Sequence, residues 1–197
     1  FLLGLGPGKT AEAMANAGSV AGGLWHMRHD DVLTKQWHVF HALRTGREAA
    51  RHAALGASGP KALLEGPQGL FAAFTDAPRA LAHAQDGGWL IGAVSFKPFA
   101  ACRHAHPAID AALCLRGEGR LRPPFMVETY ADALAFCDRP DPQTELEAKF
   151  SLQHAVAVVA SGRSAEAEDF TPAAIAALAP LRAAVTVRED PRITARY

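Results

Sequence analysis

Apolar residues recur at helical spacing in the first half of the chain. Trp37, Phe40 and Leu43 lie three apart, so they share one face of a helix that the pattern predicts over residues 35–55. An earlier helix, rich in alanine and glycine, is predicted over residues 10–27, where small side chains favour close approach of a neighbouring helix. The first half of the chain is therefore predicted to be helical.

Turn-forming residues set the limits of these helices. Thr10 follows a glycine-rich turn and is predicted to cap the first helix. A short helix and a loop are predicted over residues 60–74, where Gly59-Pro60 begins the helix and Gly66-Pro67 ends it. A polar connector is predicted over residues 77–88, and we place a domain boundary at its end.

The pattern changes to mixed helix and strand beyond that boundary. Short apolar or alternating runs predict strands over residues 90–96, 125–130 and 184–188. Helical spacing predicts helices over residues 107–116 and 144–160, and Thr171-Pro172 is predicted to cap and open another.

The predicted fold class is α+β, with a helical domain over residues 1–88 and an α/β domain over residues 89–197. Of the 197 residues, 49% are hydrophobic, which is enough for a sizeable core. The 20 Lys and Arg residues balance 20 Asp and Glu residues, so a role in binding nucleic acid or a membrane surface has no electrostatic support. Three widely spaced cysteines argue against a disulfide framework and predict a reducing, cytoplasmic location.

Cations and imidazoles collect on the connection between the first predicted strand and the helix that follows it. These residues are Lys97, Arg103, His104 and His106. Binding groups commonly collect on such connections, and the field at a helix N-terminus favours an anion. The same residues also fit a solvated basic loop, and their pattern alone does not decide between the two interpretations.

Other histidines fit structural roles as well as chemical ones. His154 follows Phe150 by four residues in an apolar row of the helix predicted over residues 144–160, which is typical of a core position. His38 and His41 lack the third ligand and the carboxylate motif of a zinc site. The cysteines lack the close spacing of an iron–sulfur cluster, so the sequence predicts no metal.

Three stretches, in the same order, resemble the signatures of the MmgE/PrpD family. Residues 33–38 read Leu-Thr-Lys-Gln-Trp-His, against Thr-Lys-x-x-His in the family. Residues 95–110 read Ser-Phe-Lys-Pro-Phe-Ala-Ala-Cys-Arg-His-Ala-His-Pro-Ala-Ile-Asp, which is similar to Ser-Phe-Lys-Pro-Phe-x-x-Cys-Arg-x-x-His-x-Ala-Ile-Asp. Residues 147–157 read Glu-Ala-Lys-Phe-Ser-Leu-Gln-His-Ala-Val-Ala, with His154 where the family usually has tyrosine.

The family includes 2-methylcitrate dehydratase, cis-aconitate decarboxylase and iminodisuccinate epimerase. The resemblance therefore implies a cofactor-free enzyme for a small di- or tricarboxylate, most simply a hydro-lyase that dehydrates a 2-methylcitrate-like hydroxy acid. Decarboxylation and epimerisation within the family stay open, as does a non-catalytic remnant that packs on a partner. The resemblance also implies a homodimer, and an all-helical domain with a smaller α/β lid and the site in the cleft between them.

The resemblance implies that two lysines, Lys35 and Lys97, belong to the active site. Removing a proton next to a carboxylate adds negative charge to an anionic substrate, and fixed cations stabilise that charge. The reaction also needs a base that titrates near the working pH, for which imidazole is suited. His38 and His154 are therefore the further candidate catalytic residues.

Two residues of the basic connection are predicted to bind the substrate. The guanidinium of Arg103 suits a bidentate contact with a carboxylate, although Asp110 on the following helix is an alternative partner. His106 is the second predicted substrate-binding residue, with capping of that helix as its alternative role.

Compared with the family, the chain corresponds to a central portion. The family's first segment supplies a base histidine and an aspartate, so we expect a fragment with an incomplete acid–base set, incomplete also at its C-terminus. Exposed apolar faces over residues 13–24 and 37–43 then predict aggregation or obligate association.

Overall fold

A computed structural model describes residues 2–30, 32–76 and 90–197 of the chain. The chain divides into two units, Phe1–Gly92 and Ala93–Tyr197. Helices predominate and one small parallel sheet accompanies them, so the predicted α+β class is confirmed. Every helix within the described ranges is too short or too polar to cross a membrane. The connector predicted over residues 77–88 lies outside the described residues.

The first unit is built on a pair of packed helices. Its elements are α1 (Pro7–Ser19), a 3-10 turn (Trp25–His29), α2 (Thr34–Ala54) and α3 (Leu70–Phe74). α1 contacts α2, and the buried residues of the two helices are alanines: Ala13, Ala15, Ala49 and Ala53. Small side chains let the two backbones approach, as the composition predicted.

α1 differs from the prediction at both ends. Gly6 rather than Thr10 is the N-cap residue, and the Thr10 hydroxyl instead donates to the Gly6 carbonyl at 3.0 Å. The helix ends at Ser19 and not near residue 27. The Gly22-Gly23 pair that follows disfavours helix, and Gly23 has a φ of +137°, which a side chain rarely tolerates.

α2 is confirmed, whereas the short helix predicted after Gly59-Pro60 is wrong. Residues 61–65 form turns, and α3 begins only at Leu70. The Leu70 N–H donates to the Leu63 carbonyl at 2.7 Å, and the backbone there leaves no room for a Cβ at Gly69. The glycine that permits this close approach therefore precedes the helix instead of following it.

The face of α2 that carries Trp37, Phe40 and Leu43 is exposed in the described part of this unit. Trp37 keeps 60% of its surface accessible, and Phe40 and Leu43 are exposed as well. The helical spacing was read correctly, but the shared face is not covered by α1.

The second unit contains most of the elements. They are 3-10 turns at Arg103–Ala105 and Ala167–Phe170, helices α4 (His106–Gly117), α5 (Ala131–Cys137), α6 (Glu145–Lys149), α7 (Leu152–Ala160), α8 (Pro172–Ala177), α9 (Ala179–Arg182) and α10 (Pro191–Thr194), and strands β1 (Phe125–Thr129) and β2 (Val185–Glu189). The strands pair in parallel, with Phe125 opposite Val185 and Thr129 opposite Glu189. The strands predicted over residues 125–130 and 184–188 are confirmed, as are α4 and the Thr171 cap, whose side chain accepts from the Ala174 N–H.

The core of the second unit surrounds α7. Residues 152–159 of this helix are all buried, and α7 contacts α4, α9 and β2. Ile109 of α4 and Phe170 are also fully buried in the same cluster. α7 is thus an apolar helix that is buried on all sides, and the other elements of this unit pack around it.

The single helix predicted over residues 144–160 is wrong, because it divides into α6 and α7. Thr144 and Glu147 form a capping box that starts α6, and the chain leaves the helix at Phe150. The Ser151 hydroxyl then accepts from the His154 N–H and caps α7. Two N-terminal capping signals within eight residues set two helix starts, so Phe150 and His154 do not share a helix.

The strand predicted over residues 90–96 is also wrong. Leu90–Ala93 forms a 3-10 turn, and the following residues form no strand. Ile91 is exposed and Phe96 keeps 88% of its surface accessible. A strand needs a hydrogen-bonded neighbour, and within the described residues the sheet consists of β1 and β2 alone.

Candidate active site

The basic connection of the second unit is held on the core by backbone hydrogen bonds. The Ala100 N–H donates to the Ala165 carbonyl at 3.0 Å, and the Cys102 N–H donates to the Lys149 carbonyl at 2.7 Å. Phe99 packs against the main hydrophobic cluster. The second bond joins residues 95–110 to residues 147–157, so two of the three sequence signatures meet.

Lys97 and Arg103 are exposed on this connection. The Arg103 guanidinium donates to the Ser95 hydroxyl at 2.7 Å, and this contact closes the loop that carries Lys97. Asp110, the alternative partner that the sequence suggested, is exposed on α4. The structure thus brings two predicted cations onto one anchored loop.

His104, which was not among the predicted site residues, lies at the centre of an aromatic cluster. Its Nδ1 lies 2.9 Å from the Tyr130 hydroxyl oxygen, just after β1. Its ring stacks on Phe136 of α5, with centroids 4.7 Å apart and an interplanar angle of 7°. Tyr130 in turn stacks on Tyr197 at 4.1 Å. The sequence offered one indication of a role for His104, which is its position next to Arg103. The residues that contact it, Tyr130 and Phe136, are distant in sequence, so spacing could not identify them.

Electrostatics keep this cluster neutral near pH 7. Burial lowers the pKa of His104, Asp132 opposes the shift in part, and the nearby Lys97 ammonium adds to the lowering. Burial also raises the pKa of Tyr130 to about 12, and the charge and hydrogen bond of Tyr197 add to this. The site therefore combines an exposed lysine with a neutral imidazole–phenol pair.

Two thiols lie beside the same cluster. A hydrogen bond with Cys102, followed by burial, raises the pKa of the Cys137 thiol, so this group stays protonated. Cys137 ends α5 and is fully buried, whereas Cys102 is half-buried on the basic connection. Among the described residues, no three His, Cys, Asp or Glu side chains converge as metal ligands would.

His106 has a structural contact. It is the first residue of α4, it is buried, and its Nε2 lies 3.2 Å from the Ala101 carbonyl. Its ring meets Phe99 edge to face at 5.2 Å. This ring thus bonds to the preceding loop and does not cap the helix, and its substrate-binding role stays a prediction.

His154 lies in the core of the second unit, with 0% of its surface accessible. Its Nε2–H donates to the Asp169 carbonyl at 2.8 Å, and its ring meets Phe170 at 5.5 Å. Nδ1 has no hydrogen-bond partner among the described residues. Burial lowers the pKa of this imidazole, so it is neutral and packs as an apolar group. A catalytic role for it stays a prediction.

We expect acidification to destabilise the second unit through His154. Its pKa is lowered in the folded state, so the unfolded chain binds more protons below the ordinary value of 6.5, and stability falls as pH decreases through that value. The free energy of unfolding, measured in urea at pH 7.5 and 5.5, should decrease less in His154→Gln than in the wild type. The exposed His52→Gln is the control, and equal pH dependence in all three proteins would contradict this assignment.

Lys35 and His38 lie at the start of α2 in the first unit. Lys35 is exposed and His38 is half-buried. The His38 ring packs on the backbone of Gly23, where an added Cβ would lie 3.3 Å from Nδ1. These two residues are therefore neighbours on one helix, as their spacing predicted, and their catalytic roles stay predictions.

A groove of about 650 Å³ adjoins the aromatic cluster in the second unit. It runs along β1 and α4, and Tyr130 and Tyr197 line it. Most of its other lining residues are apolar, and none of the predicted site residues lines it. Lys97 and Arg103 are thus not part of the groove lining.

Comparison with known proteins gives a consistent result over most of the chain. Residues 1–81 match the MmgE/PrpD N-terminal domain, and residues 99–197 match the MmgE/PrpD C-terminal domain. Human cis-aconitate decarboxylase is 33% identical over 162 residues, which cover 77% of this chain and 33% of that protein. The mouse cis-aconitate decarboxylase is 32% identical over 163 residues, with the same coverage of 77% and 33%. The chain thus spans about a third of the length of these relatives, and on the two domain matches it belongs to the MmgE/PrpD family.

Proposed function

We propose that the chain forms part of a lyase for a small di- or tricarboxylate, most simply a cofactor-free dehydratase of a 2-methylcitrate-like hydroxy acid. The observation that carries the proposal is the anchored loop, on which exposed Lys97 and Arg103 adjoin the neutral His104–Tyr130 pair. Family membership supports the same class of reaction.

The chemistry requires this combination of groups. Removal of a proton from the carbon next to a carboxylate places further negative charge on an anionic substrate. In this proposal the Lys97 ammonium stabilises that charge, and the Arg103 guanidinium binds a second carboxylate. We propose Lys35 as a further cation and His38 as a further acid–base group, on the family resemblance.

Decarboxylation is the second candidate, and the names of the two relatives favour it. Loss of carbon dioxide leaves an electron pair on carbon, which the same cations would stabilise until a proton is added. Epimerisation uses the same carbanion-like intermediate. A non-catalytic remnant that packs on a partner is the alternative from another class. We also propose a homodimer and a cytoplasmic location.

The proposal is tested by solvent-deuterium exchange. Citrate, 2-methylcitrate, cis-aconitate and an aspartate-like acid are followed by NMR in D₂O with two proteins. One is the 197-residue chain. The other, the extended protein, joins this chain to the further segments that the two cis-aconitate decarboxylases carry beyond the matched region. We expect exchange, or formation of an unsaturated acid, with at least one substrate in the extended protein.

The product identifies the reaction. Water loss indicates the dehydratase, carbon dioxide release the decarboxylase, and exchange without either the epimerase. A folded extended protein that exchanges none of these acids would favour the remnant.

A further inference from the structure

We infer that Ser95 is a positioning residue of this site, which acts through Arg103 and holds its guanidinium ready for a carboxylate of the substrate. The inference rests on the proposed function, because it names the residue that prepares the carboxylate contact of that reaction. Ser95 lies in the second sequence signature, which gave it no role of its own. The argument for it comes from a hydrogen bond that the structure shows.

The near end of the Arg103 side chain is fixed by the backbone. Arg103 begins a 3-10 turn, and the Cys102 N–H just before it donates to the Lys149 carbonyl at 2.7 Å. The Ala105 N–H donates to the Cys102 carbonyl at 2.9 Å, and Ala105 is fully buried. The Cα of Arg103 is therefore held by contacts with the core of the second unit.

The far end of the Arg103 side chain is held by Ser95. An exposed arginine side chain samples many rotamers, and this freedom opposes binding because it is lost when a ligand orders the guanidinium. Here the Nη1–H of Arg103 donates to the Ser95 hydroxyl oxygen at 2.7 Å, although the two residues lie 8 apart in the sequence. The distance is short, as expected for a charged donor. The bond favours one orientation of the guanidinium before a ligand arrives.

Most of the guanidinium stays available while Ser95 holds it. A guanidinium carries N–H donors on Nε, Nη1 and Nη2, and the bond to Ser95 uses one donor on Nη1. Arg103 is exposed, and none of the ion pairs among the described residues includes it. The edge formed by Nε and Nη2 can therefore donate a pair of parallel hydrogen bonds to a carboxylate. A serine hydroxyl suits this role because it accepts the bond without neutralising the positive charge, as an aspartate would.

A purely structural role is the alternative for this bond. Ser95 is itself exposed, so loss of its hydroxyl removes little buried surface. A structural serine would affect the free energy of unfolding, whereas a positioning serine affects the affinity for a carboxylate only while Arg103 is present. A double-mutant cycle of Ser95 and Arg103 separates the two roles.

The first test measures binding of citrate, a tricarboxylate, to the 197-residue chain without any need for turnover. Citrate is titrated into the ¹⁵N-labelled protein at pH 6.5, and the Nε–H signal of Arg103 is followed by NMR. We expect citrate to shift this signal, and Ser95→Ala to raise the Kd for citrate by about 3- to 10-fold, the usual effect of one hydrogen bond. Ser95→Thr keeps the hydroxyl and should bind as the wild type does.

The double variant decides whether Ser95 acts through Arg103. Arg103→Ala should weaken citrate binding more than Ser95→Ala does, and adding Ser95→Ala to Arg103→Ala should have no further effect. Ser58→Ala, which removes an exposed hydroxyl of the first unit, is the control and should leave the Kd unchanged. The inference is overturned if Ser95→Ala binds citrate as the wild type does, if the losses in the double variant are additive, or if citrate does not move the Arg103 signal.

The second test uses the extended protein and the acid that it converts. Ser95→Ala should raise KM by the same factor of about 3–10 and leave kcat within about twofold, since the carboxylate contact exists both in the bound substrate and in the transition state. If the wild type converts an acid and Ser95→Ala has the same KM, the inference fails and the proposed function stands. If citrate binding follows the cycle but no protein converts any acid, the proposed function fails and Ser95 positions Arg103 for carboxylate binding alone.

Discussion

Replacement of Lys97 by alanine should lower kcat/KM of the extended protein by about 10²–10³ for the acid that it converts. This is the usual loss when one preorganised group that stabilises developing negative charge is removed. Lys97 is exposed on a loop that is closed by the Arg103–Ser95 bond and anchored at Cys102, so the backbone that carries its ammonium is held before the substrate binds. Steady-state kinetics with the acid identified by exchange provides the measurement.

Two further variants show whether the charge or the geometry of Lys97 is responsible. Lys97→Arg keeps the positive charge but changes its shape and reach, so partial activity is expected. Lys61→Ala removes an exposed lysine of the first unit and should leave kcat/KM within about twofold of the wild type, since surface substitutions rarely have large effects. Equal activity of Lys97→Ala and Lys61→Ala would remove Lys97 from the mechanism.

Features with strong local signals were predicted correctly from the sequence. The apolar spacing of α2, the proline at the start of α4 and the Thr171 cap each act within one or two helical turns. The strands at β1 and β2 were also found, because both alternate between buried and more exposed residues. Local periodicity and capping therefore decided these elements.

Elements that depend on distant partners were predicted less well. The apolar run at residues 90–96 has strand composition, but no described strand pairs with it. The helix predicted over residues 144–160 divides because Ser151 caps a second helix, a competing local signal within a helical pattern. A sequence pattern gives the preference of a segment, whereas the surroundings decide whether that preference is met.

The site shows the same division. The signatures selected Lys97 and Arg103, which the structure places on one anchored loop. They could not select the pairing of His104 with Tyr130, because 26 residues separate the two in the sequence. Spacing also gave no means to tell the half-buried His104 from the fully buried His154, since that difference depends on packing.

Replacement of Phe170 by alanine should have the largest effect on stability, a loss of about 3–5 kcal/mol in the free energy of unfolding of the second unit. Phe170 is fully buried, it contacts the His154 ring, and it belongs to the cluster around α7. Truncation removes a large apolar surface and leaves a cavity that the surrounding helices fill only in part. Hydrogen exchange of the α7 amides, followed by mass spectrometry, reports the stability of this unit specifically.

The matched control is Phe96→Ala, which removes the same side chain from a position that is 88% accessible. Phe96→Ala should change the free energy of unfolding by no more than about 0.5 kcal/mol, because the Phe96 side chain buries little apolar surface. Both variants replace phenylalanine by alanine, so a difference between their losses of stability reports the effect of burial alone. Similar losses in the two variants would mean that Phe96 is covered in solution, whereas a loss below about 1 kcal/mol for Phe170→Ala would show that the core around α7 closes over the cavity and is not packed as described.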